Sequence, residues 1–102
     1  MFTLHPTLAS DCFQMGKLSL CEVLLHNNAT YPWLILVPQR THITEIYDLS
    51  EEDQIQLHRE ISLTTKHLQA YTCADKMNIA AFGNQVPQLH IHIIARHHND
   101  PA

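Results

Sequence analysis

Two histidines, His90 and His92, stand two residues apart in the run Gln88-Leu89-His90-Ile91-His92-Ile93-Ile94-Ala95-Arg96. On an extended strand, residues i and i+2 point the same way, with Cβ atoms roughly 6–7 Å apart. The spacing therefore predicts both imidazoles on one face, joined there by Gln88, with Leu89, Ile91 and Ile93 on the other. Imidazole titrates near neutral pH, carries protons and, when uncharged, attacks as a nucleophile. A row of polar side chains on an apolar back is a candidate reactive surface seated on a core. The plainer alternative is a pair of packed strand histidines bonded to nearby carbonyls.

The rest of the chain must hold that strand in place. Pro6 to Met15 reads as a short helix: Pro6 suits a first helical position, Leu8, Cys12 and Met15 form an apolar stripe, and Gly16 suits a stop. Leu18 to Leu25 reads as a strand, followed by the turn His26-Asn27-Asn28-Ala29-Thr30, and Trp33 to Val37 as a second strand closed by Pro38. Ser50 to about Cys73 reads as a long helix. Ser50 and Asp53 have capping-box spacing, Glu51, Glu52 and Asp53 suit the positive end of the helix dipole, and Leu57, Ile61, Leu68 and Tyr71 supply one apolar face. Met77 to Phe82 reads as a strand, Gly83 to Pro87 as a turn, and Gln88 to Ala95 as the last strand. The tail from His97 to Ala102 reads as exposed. This order predicts a single α+β domain over residues 1–102: an antiparallel sheet with one long helix across one face and a short N-terminal helix. Its edge strands need cover or a partner.

Composition narrows the function classes. The chain has 102 residues, 45% of them hydrophobic, and a net charge of -4. Six scattered Lys and Arg make no basic patch, which argues against a nucleic-acid binder. No apolar run is long enough to span a bilayer, and the N-terminus lacks the pattern of a secretory signal. Cys12, Cys21 and Cys73 are odd in number and widely spaced, which argues against a disulfide framework and fits a reducing cytoplasm. Histidine, at nine residues, is the unusual count.

The run Gln88 to Ile94 resembles the motif of the histidine triad family, His-φ-His-φ-His-φ-φ with φ apolar, and Ala95-Arg96 suits its ending. Two other segments agree: Trp33-Leu34-Ile35-Leu36-Val37-Pro38 is similar to the family's apolar strand ending in proline, and Thr44 to Leu49 to the link before its long helix. The likeness covers Leu18 to Arg96 and extends to bacterial members of the diadenosine polyphosphate hydrolase type. It implies a HIT-like fold and hydrolysis or transfer at the α-phosphate of a nucleotide. By the same resemblance, His90 is the nucleophile and forms a covalent nucleotidyl-histidine. His92 bonds the phosphate oxygens or assists the leaving group. A main-chain carbonyl at the first triad position orients the nucleophile, so Gln88 can stand there. The resemblance also implies a two-fold homodimer, often with the sheet extended across the subunits.

Two residues depart from the family pattern. Gln88 replaces the first histidine, and Trp33 stands where better-known members carry a supporting fourth. Trp33 either packs in the core or shapes the pocket wall. Asn84 and Gln85, in a loop shorter than in many members, are candidate phosphate donors, with a plain turn role the alternative for Asn84. Asn27 aligns with the residue that meets the ribose, and Asn28 is its rival. His42 reads as an exposed loop residue, His97 and His98 as solvated, and His5, His26, His58 and His67 as surface or interface residues. Family members often carry further pocket residues past the final strand.

Three functions compete. The first is a nucleotidyl hydrolase or transferase acting on a dinucleoside polyphosphate, a nucleoside phosphoramidate or a related adenylylated compound. The second is a nucleotide-binding module with little or no catalysis. The third is a metal-binding protein using His90, His92 and tail histidines, which ranks last because no carboxylate or cysteine stands near them in sequence. No cofactor is required by the sequence; Mg²⁺, if used, would ride on substrate phosphates. No protein site for a metal is expected.

Overall fold

The structure, a computed structural model, describes residues 1–28 and 30–101. Ala29, in the turn read after His26, and Ala102, in the tail, lie outside the described residues. A five-stranded antiparallel sheet carries the fold, in the order β1-β2-β3-β5-β4. The strands are β1 (Cys12–Lys17), β2 (Cys21–His26), β3 (Trp33–Pro38), β4 (Lys76–Ala81) and β5 (Ile91–Arg96). A short helix, α1 (Pro6–Asp11), precedes them, and the long helix α2 (Glu51–Thr72) lies between β3 and β4 in sequence. No helix among the described residues is long and apolar enough to cross a membrane.

The α2 ends form for the expected reasons. Ser50 Oγ accepts from the Asp53 N–H at 3.1 Å, and three acidic residues fill the first turn. The reciprocal half of the capping box is replaced: the Asp53 carboxylate receives the Arg40 guanidinium at 2.7 and 3.1 Å. Cys73 closes the helix in the left-handed conformation, at φ 55°. Leu57 is buried, and Ile61 and Leu68 pack on the core, but Tyr71 is 89% exposed and does not belong to the apolar face.

Each face of the sheet has its own core. Leu36, Ile91 and Ile93 pack with Leu57, Leu49 and Leu89 on the α2 side. Ile35, Val37 and Leu24 pack with Leu8, Phe2 and Leu4 on the other, under the N-terminal segment. Alternation along β5 divides its residues accordingly: Ile91, Ile93 and Ala95 are buried, while His92 and Ile94 are half-buried between them. His92 pairs with Ile35 on β3 and Ala80 on β4, so its ring lies on the face away from α2.

Two readings of local structure are corrected. The first helix stops at Asp11 rather than Met15, and Cys12–Lys17 is an edge strand on β2. Leu8, Cys12 and Met15 have helical spacing, but backbone pairing with Leu25 and Leu24 wins over that weak periodicity. The final strand starts at Ile91, not Gln88. The Leu89 N–H bonds the Ile43 carbonyl, so this stretch is tied to the loop after β3 before it enters the sheet.

A buried carboxylate fixes α2 against the β1–β2 connection. Glu60, 3% exposed, accepts from the Leu20 and Cys21 N–H groups at 2.8 Å each and from Gln56 Nε2 at 2.7 Å. These charge-assisted bonds satisfy main-chain donors that would otherwise be buried without partners. Burial, with the Glu60 charge beside it, pushes the Cys21 thiol well above its ordinary range.

Candidate active site

His90 stands at the entry to β5, where the chain turns from the loop into the sheet. The residue is only 6% exposed, yet it borders two adjoining cavities. One, of about 440 Å³, is walled by Phe82, Gly83, Asn84, Gln85 and Val86. The other, of about 260 Å³, is walled by residues 44–47 together with Ala81, Phe82, Gly83 and Leu89. Among the described residues, no lysine or arginine lines either cavity. Gly83 adopts φ 92°, a conformation glycine takes without strain, and so lets the loop turn close to the imidazole.

His90 Nδ1 lies 2.7 Å from the main-chain oxygen of Gln88. A carbonyl only accepts, so Nδ1 must donate and carry the proton. In the neutral ring, Nε2 then keeps its lone pair. The Gln88 side chain does not lie open beside the imidazoles, as the alternation reading had it. Its Oε1 accepts from the His5 N–H and its Nε2 donates to the Thr3 carbonyl, both at 2.8 Å. The residue has two separate jobs, because its carbonyl belongs to the turn into β5 and its amide belongs to the N-terminal segment.

His92 is held differently. Trp33 Nε1–H donates to His92 Nδ1 at 3.0 Å, across the β3–β5 pair. The rings of His90 and Phe82 lie 4.8 and 5.5 Å from that of His92, centroid to centroid. Burial, with His90 and His26 adding to it, lowers the His92 pKa to about 4, so the ring is neutral at physiological pH. His26, read from sequence as a surface residue, stacks flat on Trp33, with centroids 4.1 Å apart and planes at 12°. Its buried Nδ1 has no hydrogen-bond partner among the described residues. Sequence gave no signal for His26 beyond its place at the end of β2, beside the strand that starts with Trp33.

The other candidate residues divide. Asn84 and Gln85 share a cavity with His90, and Trp33 meets His92. Asn27 and Asn28 line neither cavity at His90; the Asn27 N–H bonds the Asp11 carbonyl, and Asn28 Oδ1 accepts from the Thr30 N–H within its own turn. His42 is exposed, at φ 59°. His97 is not simply solvated: its Nε2 donates to the Thr72 carbonyl at 3.0 Å, while His98 is exposed. His5 caps α1, its Nδ1 accepting from the Thr7 N–H. Among the described residues, no group of three or more His, Cys, Asp or Glu side chains is placed to hold a metal ion.

The HIT domain family model matches residues 8–99. The chain belongs to the histidine triad family. Solved histidine triad proteins share its fold throughout: one from Bradyrhizobium japonicum at 50% identity and TM-score 0.98, over 99% of this chain and 75% of its own. Another, from Marinobacter aquaeolei, is 49% identical with TM-score 0.98, over 100% of this chain and 74% of its own. A third, from Sinorhizobium meliloti, is 47% identical with TM-score 0.97, over 98% and 74%. No curated protein matches the chain significantly. The histidine triad family is one of nucleotide-binding proteins that include nucleotide hydrolases and transferases. In this member the triad reads Gln88, His90, His92.

Proposed function

We propose that this histidine triad protein is a nucleotidyl hydrolase or transferase that works through a covalent nucleotidyl-His90. The observation that carries the reading is the 2.7 Å contact from His90 Nδ1 to a main-chain carbonyl, in a ring that borders a cavity. In the first step the Nε2 lone pair forms a bond to the α-phosphorus. The bond from phosphorus to the leaving group breaks, and the leaving group departs with the electron pair and takes up a proton. The imidazole is then positively charged, and the Gln88 carbonyl oxygen, already accepting from Nδ1, stabilises that charge. In the second step water attacks the phosphorus, the nitrogen–phosphorus pair returns to Nε2, and the water proton leaves to solvent. One difficult displacement becomes two easier ones.

With no lysine or arginine lining either cavity among the described residues, phosphate charge falls to neutral donors: the amides of Asn84 and Gln85 on the wall, and His92, which lines neither cavity but whose ring lies 4.8 Å from that of His90. The substrate class is a dinucleoside polyphosphate or a nucleoside phosphoramidate. Asn27 remains the proposed ribose contact on the strength of its alignment alone. Any Mg²⁺ would enter on the substrate's phosphates, and added chelator tests for it. Cys12, Cys21 and Cys73 are free thiols, which suits a reducing compartment such as the cytoplasm.

The deciding experiment is labelling under a denaturing alkaline quench, which spares the acid-labile phosphorus–nitrogen bond, with diadenosine tetraphosphate and with adenosine phosphoramidate, each radiolabelled at the α-phosphorus. Wild type should carry label on His90, and His90→Ala should carry none. Nucleotide binding that raises the melting temperature without label or turnover would instead make the protein a binding module.

The same reading includes a two-fold homodimer formed through the β4 edge and α2. A cleft of about 640 Å³ lies between them, bordered by Ile61, Met77 and Ile79 among others, and Ile79 is half exposed.

A further inference from the structure

We infer that Trp33 is a positioning residue: its indole N–H fixes His92 as the tautomer protonated on Nε2, making that nitrogen a permanent neutral donor for the phosphate. The inference rests on the proposed nucleotidyl chemistry for its purpose, but not for its geometry. Trp33 Nε1 can only donate, and it faces His92 Nδ1 at 3.0 Å. A proton on Nδ1 would set two N–H groups against each other. The neutral ring must then carry its proton on Nε2, which has no partner within the chain among the described residues.

His90 and His92 are thereby set in opposite states. The Gln88 carbonyl, accepting from Nδ1–H, keeps the His90 proton on Nδ1 and leaves Nε2 as a lone pair, suited to attack. The Trp33 indole, donating to His92 Nδ1, leaves the ring's proton on Nε2, a donor suited to phosphate oxygen. A main-chain acceptor sets the first and a side-chain donor the second. Identical side chains two residues apart acquire different work from the polarity of the group behind each ring.

The indole is itself held. His26 stacks on its face, with ring planes 12° apart, and β3 pairing at Trp33↔Ile94 fixes its backbone. The groups facing His92 are His90 from the turn into its strand, Trp33 from β3, His26 behind Trp33, and the Phe82 ring beyond β4. None of these is an acid that would draw a proton onto the ring. Desolvation and the neighbouring imidazoles act in the same direction as the Trp33 N–H, keeping the ring uncharged.

Covalent geometry supplies a strict control. The five-membered ring of histidine overlays that of tryptophan, so Nε2–H of a histidine at position 33 falls where the indole N–H was. Phenylalanine keeps a ring there and removes the donor.

The test is long-range proton–nitrogen NMR of the His92 ring in wild type, Trp33→Phe and Trp33→His, alongside kcat and KM for adenosine phosphoramidate. Wild type should show Nδ1 unprotonated and Nε2 protonated across neutral pH. Trp33→Phe should mix the tautomers, raise the His92 pKa toward its ordinary value, and lower kcat about 10-fold or more with KM little changed. Trp33→His should keep the wild-type tautomer and recover kcat relative to Trp33→Phe. The inference is overturned by a wild-type His92 protonated on Nδ1, or by Trp33→Phe leaving both tautomer and pKa unchanged. If Trp33→Phe does not fold, loss of the tautomer in Trp33→His overturns it equally. Absence of turnover in every variant, with the tautomers as expected, would count against the nucleotidyl reading and leave the role of Trp33 standing.

Discussion

At His90 the chemistry depends on a carbonyl, not on the side chain of the residue that carries it. Gln88 can therefore be truncated without touching the nucleophile. Gln88→Ala should retain turnover within a few-fold of wild type, whereas His90→Ala should lose it and its covalent label. The same truncation frees the His5 N–H and the Thr3 carbonyl, two hydrogen bonds worth together about 1–2 kcal/mol. Its melting temperature should fall by several degrees, read by calorimetry. Loss of activity with an unchanged melting temperature would reverse this division of labour. His92 gives a second outcome at this scale. Its native pKa, about 4, lies below its ordinary 6.5, so the unfolded chain binds a proton that the native chain does not. Stability is then fully present above pH 6.5 and declines as pH falls toward 4, by on the order of 1–3 kcal/mol. Urea unfolding across that range should show the loss, and His92→Gln should flatten it. At the residue scale, spacing alone puts His90 and His92 together, and Trp33 comes only from the resemblance of its strand to that of the histidine triad family. Neither signal reaches His26, whose stacking on Trp33 is a contact between the two ends of neighbouring strands and leaves no periodic trace.

The elements succeed where one stretch of chain contains its own reasons. The long helix was legible because Ser50, three acidic residues and an apolar stripe all lie within it. The first strand was not, because Cys12–Lys17 is extended only by virtue of pairing with β2, and the helix-like spacing of Leu8, Cys12 and Met15 competes with that. The start of β5 was misplaced for the same kind of reason: the Leu89 N–H is taken by a distant loop carbonyl, and nothing local to Gln88 announces it. Glu60 is the element-scale contact with the clearest consequence. Its two oxygens accept three N–H donors at 2.7–2.8 Å, two of them main-chain groups of the β1–β2 connection. Glu60→Gln replaces one oxygen by an amide NH2, which would face an N–H donor, and should destabilise by about 2–4 kcal/mol in urea unfolding. Glu60→Ala leaves all three donors unpaired and should cost at least as much. A Glu60→Gln protein as stable as wild type would mean that the helix is held by its apolar stripe alone.

The whole molecule has two open sheet edges, and they are not equivalent. At β1 the register slips between Gln14 and Gly16, a bulge that spoils the edge for further pairing. At β4 the pairing with β5 is regular from Lys76 to Ala81, so the outer edge is an unbroken row of main-chain donors and acceptors. Beside it lies the cleft against α2, with Met77 half-buried and Ile79 49% exposed. A second copy set antiparallel along β4 would pair that edge, join two five-stranded sheets into one, and cover both clefts at once. This face, rather than β1 with its exposed Phe13 and Met15, is therefore the expected dimer contact. Light scattering on wild type should give twice the 11.7 kDa chain mass. Ile79→Glu sets like charges near each other across the two-fold axis and should give the single-chain mass, while Phe13→Glu, on the bulged edge, should leave the wild-type mass unchanged. Because His92 sits one strand in from β4, paired with Ala80, the monomeric variant also tests whether that strand needs its partner to hold the site. Unaltered His92 NMR signals in Ile79→Glu would show the site complete in one chain, and their broadening would show that dimer formation steadies it. A wild-type protein that runs as a monomer at all concentrations would remove the dimer and leave β4 an open edge that carries Lys76 at its start.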